Sequence, residues 1–179
     1  MDSDVGDPTL PLELSHLGWL LGSWAGVGLG QYPTIDDFRF YQQATFSNDG
    51  RPFISYFSRS WIIDDSGAKV RPSGTESGYF RPLPDNEFEL LLQHPTGISE
   101  LWFGRVEITG MENAVITGAR MELRTDGIMR APSAKEVDSG ERLYGLVNGE
   151  LLWTYDMAAV GEPMQNHLSA RLQPHHSDS

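Results

Sequence analysis

The chain has no cysteine among its 179 residues, which excludes disulfides, thiolate catalysis, zinc–thiolate sites and iron–sulfur clusters together. Any metal must be held by His, carboxylate, Tyr or Met. Positive charge is scarce: 13 Lys and Arg stand against 25 Asp and Glu, giving a formal charge of -12 and an isoelectric point near 4.7. Without a basic run the chain has nothing to attract a phosphate backbone or an anionic lipid surface, so neither nucleic acid nor membrane is expected as a partner. Long apolar runs are missing too. Leu17 to Leu21 is too short to span a bilayer, and Asp2, Asp4 and Asp7 stand where a secretory signal would carry basic residues. The expectation is a soluble, cytoplasmic protein. Nothing resembles a nucleophile with its base, a phosphate loop or a supported pair of glycosidase carboxylates.

What is present is alternation punctuated by turns. The length fits one domain with tails. Residues 1–11 read as a flexible acidic lead-in, 12–173 as a single domain and 174–179 as a polar tail. Leu12 to Leu21, apolar at positions 12, 14, 17, 20 and 21, predicts a short helix plugging one end of a barrel. Gly26, Gly28 and Gly30 then leave one face of a strand bare, so that it can bend or accept a close neighbour, with Trp24 as a bulky anchor before them. Strands are expected at about 40–46, 53–61, 75–83, 88–93, 98–103, 106–109, 115–123, 136–147, 150–157 and 165–172. Between them lie turn signals such as Asn48-Asp49-Gly50 and Asn148-Gly149. The fold class is all-β, and about ten antiparallel strands predict a closed barrel of fatty-acid-binding-protein or lipocalin type, roomy enough for one small ligand.

His167 follows the turn at Gly161 and Pro163, in the last strand. Alternation raises a conflict there: if Leu168, Ala170 and Leu172 face inward, His167 faces solvent. Either those residues pack outward against the N-terminal helix, or a bulge shifts the register. His94 sits beside a proline in a turn. His175 and His176, in the tail without a third ligand, read as solvated, and His16, Asp36, Asp37, Asp64 and Asp65 as cap and turn residues.

Gly22-Ser23-Trp24-Ala25-Gly26-Val27-Gly28 matches the GxWxGxG motif of the nitrobindin family. Further blocks follow in family order: Tyr32-Pro33-Thr34-Ile35, Glu76-Ser77-Gly78-Tyr79, His94-Pro95-Thr96-Gly97-Ile98, Ser133-Ala134-Lys135-Glu136-Val137, and Met157-Ala158-Ala159-Val160 with His167-Leu168. The chain thus resembles these haem-binding β-barrels over about residues 17–172. The resemblance implies a ten-stranded barrel holding one haem b per chain through a single proximal histidine, which His167 matches. Thr34 and Lys135 match residues that border the haem, Lys135 in a position to pair with a propionate. Met157 and His94 match lining on the distal side, His94 being the candidate hydrogen-bond donor there.

Family members bind nitric oxide, and ferric members isomerise peroxynitrite to nitrate, so the partners implied are haem and these small nitrogen oxides. A neutral imidazole suits iron and a single axial histidine leaves a position open for a small ligand, while haem carries the hard step. Two other readings stand beside this one: a lipocalin-like carrier of an apolar small molecule, and a haem or nitric oxide sensor without turnover. The assembly is expected to be a monomer or homodimer. Asn166 occupies a position where some relatives have a second histidine, and Ile128 to Pro132 matches no family block.

Overall fold

A computed structural model describes residues 9–176, so most of the acidic lead-in and the last three residues of the tail lie outside the described residues. Ten strands follow one another: β1 (Gly22–Tyr32), β2 (Ile35–Ser47), β3 (Ile54–Ile63), β4 (Lys69–Pro82), β5 (Glu87–His94), β6 (Ile98–Glu112), β7 (Val115–Arg130), β8 (Val137–Val147), β9 (Glu150–Ala159) and β10 (Glu162–Pro174). Each pairs antiparallel with the next, and β1 closes the ring on β10, from Trp24 opposite Pro174 to Gly30 opposite Leu168. Closure leaves no unpaired edge. The turn chemistry works as expected at Asn148-Gly149, where φ values of 52° and 77° are those of a tight two-residue hairpin.

Two expectations are corrected. The helix over 12–21 is instead a pair of 3₁₀ turns, Leu12–Leu14 and Gly18–Leu20. Leu14, Leu17 and Leu20, all 0% exposed, recur every third residue, the period at which a 3₁₀ helix stacks its side chains on one face. The segments 98–103 and 106–109 are one strand, β6, running unbroken through Gly104. Gly104 does not mark a turn: the Phe88 ring lies where its Cβ would be. The bare row of β1 serves the same end, because the ring of Phe40 covers Gly28 and that of Phe38 covers Gly30.

The 3₁₀ turns plug one end. There Trp19 donates from its indole N–H to the His16 carbonyl at 2.9 Å and Trp24 to the Leu20 carbonyl at 2.8 Å, so both large rings are buried without stranding a donor. His16 lies in the turn between the two 3₁₀ elements, as expected, and is buried there with Nε2 2.9 Å from the Glu87 carbonyl oxygen. Apolar side chains fill the space above it, including Phe46, Phe80, Phe88 and Leu151. Because successive strands run in opposite directions, the connections after β1, β3, β5, β7 and β9 gather at the other end. No helix among the described residues is long and apolar enough to cross a membrane.

Candidate functional site

A cavity of about 270 Å³ occupies the barrel below those five connections. Its two sides differ in chemistry. One is largely apolar: Phe38 and Phe40 from β2, Trp153, Tyr155 and Met157 from β9, and His167 with Leu168 from β10. The other is polar: Ser58 and Ser60 from β3, Thr75 and Glu76 from β4, His94 closing β5, and Glu100 from β6, with Arg142 from β8 reaching in between.

His167 enters the cavity through a β-bulge. Asn166 pairs with Asp156 and Leu168 with Tyr155, so His167 has no partner on β9 and the register slips by one residue. The slip resolves the conflict in alternation: Leu168, Ala170 and Leu172 keep the core side, and the imidazole reaches the same cavity as Leu168. Asn166 pins the bulge, its amide donating to Asp156 Oδ1 at 3.0 Å and to the Leu168 carbonyl at 3.2 Å. The ring of His167 meets Tyr32 and Tyr155 edge-on, with centroids 5.4 Å and 5.9 Å away. Its Nδ1 lies 2.9 Å from the Gln31 carbonyl oxygen. A carbonyl only accepts, so Nδ1 carries the proton and Nε2 is left with its lone pair. Burial lowers the pKa of this histidine below its ordinary value, against the opposing pull of the Gln31 hydrogen bond, and favours the neutral ring.

The polar side is held by an ion pair. Arg142 donates from both terminal nitrogens to the Glu76 carboxylate at 3.0 Å and 2.9 Å, a fork-on-fork geometry, and Glu76 also accepts the Tyr56 hydroxyl at 2.6 Å. The guanidinium lies against the rings of Tyr155 and Trp102, 4.8 Å and 5.1 Å from their centroids. Gly140 makes room for this packing, since a Cβ there would lie 2.7 Å from Tyr155 and 2.8 Å from Trp102. Burial raises the pKa of Glu76, but the charge and hydrogen bonds of Arg142, with His94 and Tyr56 adding, bring it down to about 2. His94 extends the cluster: Nε2 hydrogen-bonds Glu100, and Nδ1 lies 3.8 Å from Glu76. Beside it, Trp153 donates to Gln42 and Gln42 to Ser58, each at 2.9 Å.

Of the residues singled out in the sequence, the structure brings His94, Met157 and His167 to one cavity. Met157, expected on the distal side with His94, lies instead on β9, beside the strand of His167, whereas His94 ends β5, halfway round the ring. Thr34 and Lys135 are exposed in the β1–β2 and β7–β8 connections, at the cavity's end of the barrel but outside its lining. Sequence reasoning missed Arg142, Glu100 and Gln42, and assigned Glu76 no role although it opens a quoted block. Their common signal was available: each is polar at a position whose alternate neighbours are apolar or glycine, as in Gly140-x-Arg142-x-Tyr144 and Ile98-x-Glu100-x-Trp102.

Residues 13–173 match a family model described as THAP4-like, heme-binding beta-barrel domain. A protein of Nocardioides sp. named "Peroxynitrite isomerase" is 49% identical over 160 residues, which cover 89% of this chain and 92% of that one. Another, from Kineococcus radiotolerans and named "Ferric nitrobindin-like protein", is 38% identical over 178 residues, covering 91% and 93%. Among solved structures, that of Rv2717c from M. tuberculosis matches with a TM-score of 0.85 at 37% identity, over 93% of this chain and 99% of that one.

Proposed function

The chain belongs to the family of THAP4-like, haem-binding β-barrel domains, and on that premise we propose that it is a ferric haem b protein that isomerises peroxynitrite to nitrate and also binds nitric oxide. The observation that carries the reading is the His167 ring: a half-buried neutral imidazole with Nδ1–H spent on the Gln31 carbonyl and Nε2 free, on the side of the cavity that also carries Phe38, Phe40, Trp153 and Tyr155. That donor set fits haem. Iron takes a neutral imidazole nitrogen, and the Gln31 carbonyl fixes tautomer and orientation as such bonds do for metal-bound histidines. The apolar walls would suit the flat, apolar surface of a haem, and His167 would be the residue that holds it.

Bound haem supplies the O–O cleavage and the recombination that turn peroxynitrite into nitrate. The chain's own residues bind, orient and confine. His167 would hold the iron, with Asn166 pinning the bulge and the Gln31 carbonyl keeping its ring in place. Phe40, Trp153 and Tyr155 would keep water away from a ligand held in the cavity. Met157 closes the cavity next to His167. His94 stands across the cavity from His167, where its ring would face a bound anion. Lys135 and Thr34, in connections at the same end, border the haem edge, with the Lys135 ammonium available to a propionate.

The carrier reading fares worse, because a cavity containing Glu76, Glu100, Arg142 and His94 would desolvate four ionisable groups against an apolar ligand. Titration of the purified protein with haemin tests the proposal. A Soret band saturating at one haem per chain, and lost in His167→Ala, is expected; no saturable band in the native protein overturns it. Stopped-flow mixing with peroxynitrite then separates enzyme from sensor. The holo protein should decay it faster than the apo protein and yield nitrate, and equal rates would leave a sensor.

A further inference from the structure

We infer that His94 sets the charge of the ligand that the cavity admits, by supplying the one cation that offsets Glu100. The inference rests on the haem reading above. Around the ring of ten strands, β5 lies five places from β10 in either direction, so His94 belongs to the side farthest from His167. A ligand held against that side of a group anchored by His167 meets Glu76 from β4, His94 from β5 and Glu100 from β6, with Arg142 of β8 behind them.

The charges do not cancel without His94. Arg142 is committed to Glu76 by two hydrogen bonds, and the pair sums to zero. Glu100, with its side chain 2% exposed, contacts only His94 among the cationic side chains of the described residues. A carboxylate accepts and cannot donate, so Nε2 presents its N–H to Glu100. Nδ1, at 3.8 Å from Glu76, is beyond hydrogen-bond length, so in the doubly protonated ring its N–H is left for a ligand. With His94 as an imidazolium the four groups sum to zero and an anion meets a free N–H; without the cation, the buried Glu100 charge is uncompensated and repels it. A neutral diatomic is indifferent to this balance. His94 is thereby a specificity-determining residue for anionic over neutral ligands, and Glu100 its positioning residue.

The test uses the ferric holo protein and two probes read by their Soret shifts, the azide anion and neutral nitric oxide. His94→Gln is expected to weaken azide binding on the order of tenfold, as one uncompensated charge in a partly desolvated site would, while nitric oxide affinity changes by no more than about twofold. The double variant His94→Gln/Glu100→Gln, neutral again, should recover most of the azide affinity. His94→Lys, which keeps the cation without the imidazole, should bind azide better than His94→Gln, and it preserves the test if His94→Gln does not fold. Equal loss of azide and nitric oxide in His94→Gln overturns the inference, as does a double variant no better than the single one. One haem per chain in every variant keeps this outcome separate from failure of the haem reading, which would appear as a missing Soret band in the native protein.

Discussion

At the plugged end of the barrel, Leu14, Leu17 and Leu20 pack under Phe46, Phe80 and Phe88, and the indole donors of Trp19 and Trp24 end on nearby carbonyls. At the other end the same strands enclose Glu76, Glu100, His94 and Arg142. The first end is fixed by volume and the second by charge. Apolar packing tolerates repacking at modest cost, whereas a buried ion pair is unforgiving when one member goes. The barrel therefore carries a stable apolar half and a polar half whose groups are kept only because they support one another.

Removing one partner of the ion pair is the severest way to probe this division. Arg142→Met leaves Glu76 buried and unpaired and is expected to destabilise the apo protein by about 3–5 kcal/mol, read as a lower urea midpoint. The double change Arg142→Met/Glu76→Leu should restore most of that; if it stays as unstable as the single variant, the polar half is not charge-limited. At the plugged end, Leu20→Ala is expected to cost about 2–5 kcal/mol through the cavity it leaves, while haem stoichiometry stays at one per chain. A loss of haem binding equal to that of His167→Ala would show the two halves to be coupled.

Acid sharpens the contrast further. The pKa of Glu76 is held at about 2, below its ordinary value of 4.5, so its contribution to stability is full above the ordinary value and is lost as pH falls toward 2. The apo protein should weaken progressively over that window in denaturant titrations, and Glu76→Gln should flatten this acid arm. The smallest effect belongs to an exposed group: Lys135→Ala is expected to lower haem affinity by no more than about 1 kcal/mol, with the deficit shrinking in high salt.

Much of the fold was legible because both turn chemistry and alternation are local. Asn148-Gly149 could be read from two residues, and the glycine row of β1 from five. The division of β6 failed for a non-local reason: whether Gly104 breaks the strand depends on the ring of Phe88, which arrives from β5. The apolar positions of 12–21 suggest one short helix, and only the three-residue spacing of Leu14, Leu17 and Leu20 points to the pair of 3₁₀ turns that forms there. In the cavity, His167 and its conflict with alternation were legible, but the bulge that resolves it needs the β9 partner register. The Arg142–Glu76 pair was not legible as a pair, since 66 residues separate its members and only barrel closure brings β8 toward β4.

The bulge at His167 has a meaning for how such a site arises. In a strand of strict alternation, an inward position is gained only by giving up another, because every second residue is already committed to the core. One unpaired residue between Asn166 and Leu168 escapes that exchange: β10 keeps Leu168, Ala170 and Leu172 on the core side and still delivers an imidazole to the cavity. An inward-facing side chain can thus be gained through one unpaired residue, without rewriting the strand that bears it.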